Sequence, residues 1–318
     1  MSGLPLHAGV LLMTYGSPDS LATDDVAAYL ARVRGGRTPE PDLVTEFTRR
    51  YRVIGGSPLI EIARRQAAGL AIRLGRPVEV GMRFSEPSIE TGLLALVAAG
   101  VREVAAIVLS PQYSPLLMGG YARAIQAAQA SLGAAAPMVE VAGEWWEEPA
   151  FVGALAGRVR MALEGIAPDE RENVAVLFTA HSLPRRVAEQ EPGYVEQLRA
   201  TAAAVARTAG LRSAQWWFCW QSAGHEPGEW MTPDLADLVV DLAAAGRRSI
   251  LVAPVQFLAD HLEVLYDIDV GAREQAESRG VLFRRIESLN ADAGLIEALA
   301  TVAEETHDSR SVAGRPSG

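Results

Sequence analysis

The chain contains no lysine: all 29 basic residues among its 318 are arginine. A phosphate-binding P-loop needs its lysine, and pyridoxal-phosphate or other Schiff-base chemistry needs an amine, so both are excluded within this chain. Cysteine is almost as scarce. The single Cys219 cannot close an internal disulfide or supply a four-cysteine cluster, which fits a reducing cytoplasm. Within the aromatic run "WWFCW" it reads as a small buried apolar residue. Long hydrophobic runs are missing too. "LLALVAAG" and "SILVAPVQFLA" are too short and too broken to span a bilayer, and no basic-then-apolar leader opens the sequence. Positive charge does not dominate: the formal net charge is -10, and no long arginine run offers a face for a duplex, so no nucleic-acid partner is expected. Neither "HExxH" nor paired "CxxC" occurs, so a standing zinc site is not expected.

What is present is an ordinary globular balance, 49% hydrophobic and 21% charged. Strand-like runs alternate with alanine-rich helical stretches, the pattern of parallel α/β layers. The first half offers "AGVLLMTYG", "PVEVGMRF", "EVAAIVLSPQYS" and "MVEVAGEW"; the second offers "NVAVLFTAHSLP", "AQWWFCWQSA", "RSILVAPVQFL" and "VLFRRIESL". The expectation is an α/β chain of two Rossmann-like, flavodoxin-like lobes, each a four-stranded parallel sheet flanked by helices. The first lobe is placed at residues 1–145 and the second at 146–308, with the last helix able to pack back on the first lobe. The join falls in "GEWWEEPAF", with Trp145 and Trp146 at the seam, and 309–318 reads as a flexible tail.

Ligands of open α/β sheets bind beyond the carboxyl ends of strands. Those ends here carry Tyr15, "SPQYS", His181, "CWQSAGHEP" and "DHLE", and two such lobes are expected to share a cleft for a large flat ligand. His181 ends the apolar run "VAVLFTAH" and reads either as a proton acceptor or metal ligand, or as a hydrogen-bonded turn residue. In "LADHLEVLYDID", Asp260, Glu263 and Asp267 fall at i, i+3 and i+7, one face of an α-helix. They read as a cation or proton path, or more simply as first-turn acids with Asp260 as an N-cap. If the fifth and seventh strands are neighbours, His181 and Glu263 converge into a pair able to hold a divalent cation briefly and to take protons. "RVRGGRTPEPD" and "RRYRVIGGSPL" place Arg34, Arg37, Arg49, Arg50, Arg52 and Ser57 beside glycine turns, a site for an acidic organic ligand or a solvated basic face.

"LLMTYGSPDS", "GGRTPEPD", "RYRVIGGSPL", "SPQYS", "FTAHSLP", "WQSAGHEPGEWMTPDL" and "FLADHLEVLYDID" occur in the order found in ferrochelatases, and the resemblance covers roughly residues 8–290. It implies the class II chelatase architecture and ATP-independent insertion of ferrous iron into a porphyrin. It implies His181 and Glu263 as the iron-site pair, with Asp260 and Asp267 along a proton or metal path. The "YG" after the first strand resembles the coproporphyrin III branch, making coproheme. Tyr15 would then meet the macrocycle, with Arg34, Arg50, Tyr51, Ser57 and Tyr121 near the propionates and Trp230 shaping the pocket. A protoporphyrin IX enzyme making protoheme and a non-catalytic tetrapyrrole carrier are the alternatives. The resemblance implies no obligatory cofactor, iron as substrate, no iron–sulfur cluster, a cytoplasmic monomer and a possible downstream haem-synthesis enzyme as partner. The chain departs from the family pattern in three places. Phe84 stands where a histidine is frequent, Gly271 stands where the acid trail gains a carboxylate, and the "IGGSPL" loop is one residue short.

Overall fold

The protein is described here by a computed structural model covering residues 5–224 and 228–313, with side chains to 309. All eight expected strands form. β1 (Ala8–Thr14), β2 (Val78–Met82), β3 (Glu103–Val108) and β4 (Met138–Val141) make one parallel sheet in the order β2-β1-β3-β4. β5 (Ala175–His181), β6 (Trp216–Gln221), β7 (Ser249–Pro254) and β8 (Leu282–Arg285) make a second in the order β6-β5-β7-β8. The two orders are the same plan repeated.

Central strands of a parallel sheet are covered by helices on both faces, so they read as continuous rather than alternating apolar runs. β1 obeys this: Leu11, Leu12 and Met13 are wholly buried, as are Val176, Leu177 and Phe178 of β5. Burying one such side chain contributes about 1.5–3 kcal/mol. Cys219 lies in the core of the second sheet with Leu177 and Val239, and burial pushes its thiol well above the usual range.

The chain divides into two compact units, one holding the described residues up to Trp145 and those from Asn290 onward, the other Trp146–Leu289. The second unit therefore ends at Leu289 rather than at 308. The helix Ala293–Ala313 belongs to the first unit. Its Leu295, Leu299 and Ala303 are buried, and Ile296 fits against Gly69 of the helix Leu59–Leu74. Arg73 grips Glu297 with two hydrogen bonds of 2.6 and 2.7 Å. Residues 309–313, expected as tail, continue this helix; residues 314–318 lie outside the described residues.

Candidate active site

In the second unit β7 pairs directly with β5, Thr179 opposite Pro254, and the backbone N–H of Val255 donates to the Thr179 carbonyl at 2.9 Å. The carboxyl ends of the two strands are thereby neighbours. His181 Nε2 stands 3.7 Å from Glu263 Oε1, both side chains about one-third exposed. The His181 backbone N–H donates to Gln256 Oε1 at 2.8 Å, and Gln256 Nε2 donates to the Tyr194 hydroxyl at 2.7 Å. His181 Nδ1 sits 2.5 Å from the Ser182 carbonyl oxygen. A carbonyl only accepts, so Nδ1 donates to it and Nε2 is the ring nitrogen that faces Glu263. An imidazole held in one tautomer beside a carboxylate is a base and a metal ligand in one.

The acids after β7 are arranged differently from the α-helical expectation. Residues Glu263–Ala272 form a π-helix. Its i→i+5 bonding widens the turn, so residues four apart stack more closely than residues three apart. Glu263, Asp267 and Gly271 are the row this spacing makes, and Gly271 leaves it without a third carboxylate. Asp260 lies before the helix, not on that face. Its carboxylate accepts from Ser288 Oγ at 2.7 Å and lies 3.3 Å from Arg285. Asp267 accepts from Ser222 Oγ at 2.5 Å. Ser222 itself sits at φ 57°, a left-handed conformation costing a non-glycine residue about 1–3 kcal/mol. Buried Gln221 joins these elements: its Oε1 accepts from Thr179 Oγ1 at 2.6 Å, and its Nε2 donates to the Glu263 carbonyl at 3.1 Å.

Sequence reasoning passed over His261. Its Nε2 is 4.0 Å from Glu263 Oε2, so Glu263 stands between two imidazoles. Phe257 packs edge-on against the His261 ring at 4.5 Å and lies 6.4 Å from that of His181. His261 Nδ1 is enclosed with no hydrogen-bond partner among the described residues. Burial, then the nearby His181, pushes its pKa down to about 4. The folded chain thus holds this ring neutral where the unfolded chain, with a pKa near 6.5, protonates it. Between pH 4 and 6.5 the unfolded state binds more protons, so stability falls as pH falls through that window. The metal-free protein is expected to lose on the order of 3 kcal/mol there. Urea unfolding across this range checks it, since His261→Asn should flatten the slope; an unchanged slope contradicts the assignment.

In the first unit Tyr15 follows β1 and is 45% exposed, its ring edge-on to Phe84 at 4.7 Å. Gly16, at φ +100°, makes the turn that presents it; a Cβ there would meet Ser85 Oγ at 2.1 Å. Tyr121 is buried on the helix Pro115–Leu132, whose first turn Ser114 caps, and burial raises its phenol pKa. Arg83, another residue the sequence reading missed, lies over Phe84 at 4.7 Å and Tyr121 at 5.3 Å. Gly120 makes room for it, since a Cβ there would meet Arg83 Nη2 at 1.9 Å.

The other expected binding residues differ in what holds them. Arg34 is half-buried with Nε enclosed and unbonded. Arg50 donates to Glu46 at 2.7 Å and lies over Phe47 at 5.7 Å. Hydrogen bonds from Arg49 and Arg50 hold the Glu46 carboxyl down at about 2. Tyr51 is buried. Ser57 Oγ accepts from the Leu59 N–H at 3.4 Å, within the first turn of the helix Leu59–Leu74. Trp230, in the second unit, pairs with Pro184 in an isolated bridge three residues beyond His181. Among the described residues, no three His, Cys, Asp or Glu side chains converge as a cage for a metal ion. No helix among them is long and apolar enough to cross a membrane.

Comparison with known proteins identifies the family and the fold. A model of the ferrochelatase family matches residues 7–307. The ferrochelatase of Deinococcus radiodurans is 38% identical over 93% of this chain and 95% of its own. The coproporphyrin III ferrochelatases of Geobacillus thermodenitrificans and Bacillus subtilis are 37% and 36% identical, each over 92% of this chain and 94% and 96% of theirs. Among solved structures, SirB from Bacillus subtilis with Fe3+ superposes with a TM-score of 0.59 at 13% identity, covering 96% of this chain and 97% of that one, which speaks to the two-sheet chelatase fold. With the family profile spanning both sheets and relatives above 30% identity along nearly the whole length, this chain belongs to the ferrochelatase family of metal-chelating lyases.

Proposed function

We propose that this ferrochelatase inserts ferrous iron into coproporphyrin III, giving coproheme. The observation that carries the chemistry is the 3.7 Å approach of His181 Nε2 to Glu263, with Nδ1 of the same ring committed to the Ser182 carbonyl. The choice of porphyrin is supported by the coproporphyrin III relatives and by Tyr15 in the "YG" after β1.

A free-base porphyrin releases two pyrrole protons and takes up one ferrous ion, with no change of oxidation state. His181 accepts one proton at Nε2, and the Glu263 carboxylate balances the cation or takes the second. Two ligands hold a divalent ion loosely enough to pass it on. Asp267, bonded to Ser222 on the same helical row as Glu263, carries charge outward. Asp260 contributes by its charge and not as a free relay, because Arg285 and Ser288 engage it. Arg34 and Arg50 bind propionates, Arg50 by exchanging Glu46 for a substrate carboxylate. In the first unit Tyr15 and Ser57 contact the porphyrin while buried Tyr51 and Tyr121 support that surface from within, and in the second unit Trp230 is the aromatic contact. The enzyme works in the cytoplasm as a monomer and hands its product to a later haem-synthesis enzyme.

The test is anaerobic turnover of purified protein with ferrous iron and either the four-carboxylate coproporphyrin III or the two-carboxylate protoporphyrin IX. The expected outcome is kcat/KM at least tenfold higher for coproporphyrin, since each lost Arg–carboxylate contact weakens binding by about 1.5–3 kcal/mol. Equal or reversed preference assigns protoporphyrin as the substrate.

A further inference from the structure

Arg285 ends β8, and its side chain is only 11% exposed. Its Nε and Nη2 donate to the two carboxylate oxygens of Asp269 at 2.9 and 2.8 Å, a bidentate pair. Nη2 also lies 3.3 Å from Asp260 Oδ1. Nη1 donates to the Ile286 carbonyl at 2.9 Å and to Ser288 Oγ at 3.1 Å, and Ser288 Oγ donates in turn to Asp260 Oδ1 at 2.7 Å. Asp260 comes immediately before His261, and Asp269 lies inside the π-helix that Glu263 opens. One guanidinium therefore holds the chain on both sides of the His261–Glu263 stretch.

We propose that Arg285 is a positioning residue for iron insertion: it clamps Asp260 and Asp269 so that Glu263, rather than either of them, is the carboxylate offered to the incoming cation. This rests on the function proposed above. Two consequences follow from the geometry. The clamp fixes the span across an i→i+5 helical segment, a register rarely held without outside support and found mostly at functional sites. It also occupies both flanking carboxylates with bonds a divalent ion would otherwise compete for, and a planar fork does this where an ammonium does not.

The experiment compares full-length wild type, Arg285→Met, Arg285→Lys and Asp269→Asn. Partners that orient a metal-site ligand typically change metal affinity or activity by 10–100-fold. In Arg285→Met the KM for ferrous iron is expected to rise, and kcat to fall, by about tenfold each, with the KM for coproporphyrin unchanged. Arg285→Lys, which keeps the charge and supports folding if the methionine variant fails, should recover folding and only part of kcat. Imidazole 15N signals of His181 and His261, recorded without iron or porphyrin, should shift in Asp269→Asn and in both Arg285 variants. A lower melting temperature with unchanged iron KM, kcat and imidazole signals would overturn the proposal, leaving Arg285 a purely structural ion pair. If wild type turns over no porphyrin while those imidazole signals still move, the functional reading fails and the clamp stands.

Discussion

His181→Ala is expected to lower iron insertion by at least about a hundredfold while porphyrin binding persists, because a positioned acid–base group typically supplies 10²–10⁴ in rate. The substitution is clean. The contact from Gln256 goes to the His181 backbone N–H, which alanine retains, so the end of β5 keeps its anchor. What disappears is the ring nitrogen Nε2 that faces Glu263. His261 does not replace it, since its Nδ1 is buried with no hydrogen-bond partner among the described residues through which to pass a proton. Coproporphyrin binding followed by fluorescence should stay within about threefold of wild type, a change below 1 kcal/mol. Turnover equal to wild type removes His181 from the mechanism.

Glu263→Gln is expected to be nearly as damaging, by about a hundredfold in kcat, with little loss of stability. The amide matches the carboxylate in size, and the bond from Gln221 Nε2 goes to the Glu263 backbone carbonyl, which the change leaves in place. The charge that balances the ferrous ion is lost, and so is a proton acceptor. Because His181 and Glu263 are read as one unit, the double variant His181→Ala/Glu263→Gln should be scarcely slower than the slower single variant. Losses that multiply would show that the two residues act independently, and single-turnover absorbance of the iron-inserted product would separate the cases.

Architecture was legible because its causes are local. Runs such as "AGVLLMT" and "AVLFTAH" bury both faces of a strand, and alanine-rich stretches between them force parallel crossovers, so both sheets could be read in advance. The family likewise follows from motifs in order, and the identities of His181 and Glu263 from their places at strand ends.

Other features had no local cause. Asp260, Glu263 and Asp267 have the spacing of an α-helical face, but the wider π turn sets Glu263 and Asp267 in one row and leaves Asp260 outside it. Asp260 is held instead by Arg285, a residue 25 positions later that arrives beside it only because β8 pairs with β7. The neutrality of His261 depends on enclosure, a property of packing that the letters "DHLE" do not carry. The helix Ala293–Ala313 joins the first unit because Gly69, Arg73 and Glu103 offer it a surface and partners there, not because of anything in its own periodicity. Sequence alone determined the strands, the chemistry-bearing residues and the family, since hydrophobic pattern and residue type act at short range. Tertiary structure decided which carboxylate stands between His181 and His261, which acids Arg285 engages and where the last helix lies, since each depends on groups brought together from distant parts of the chain.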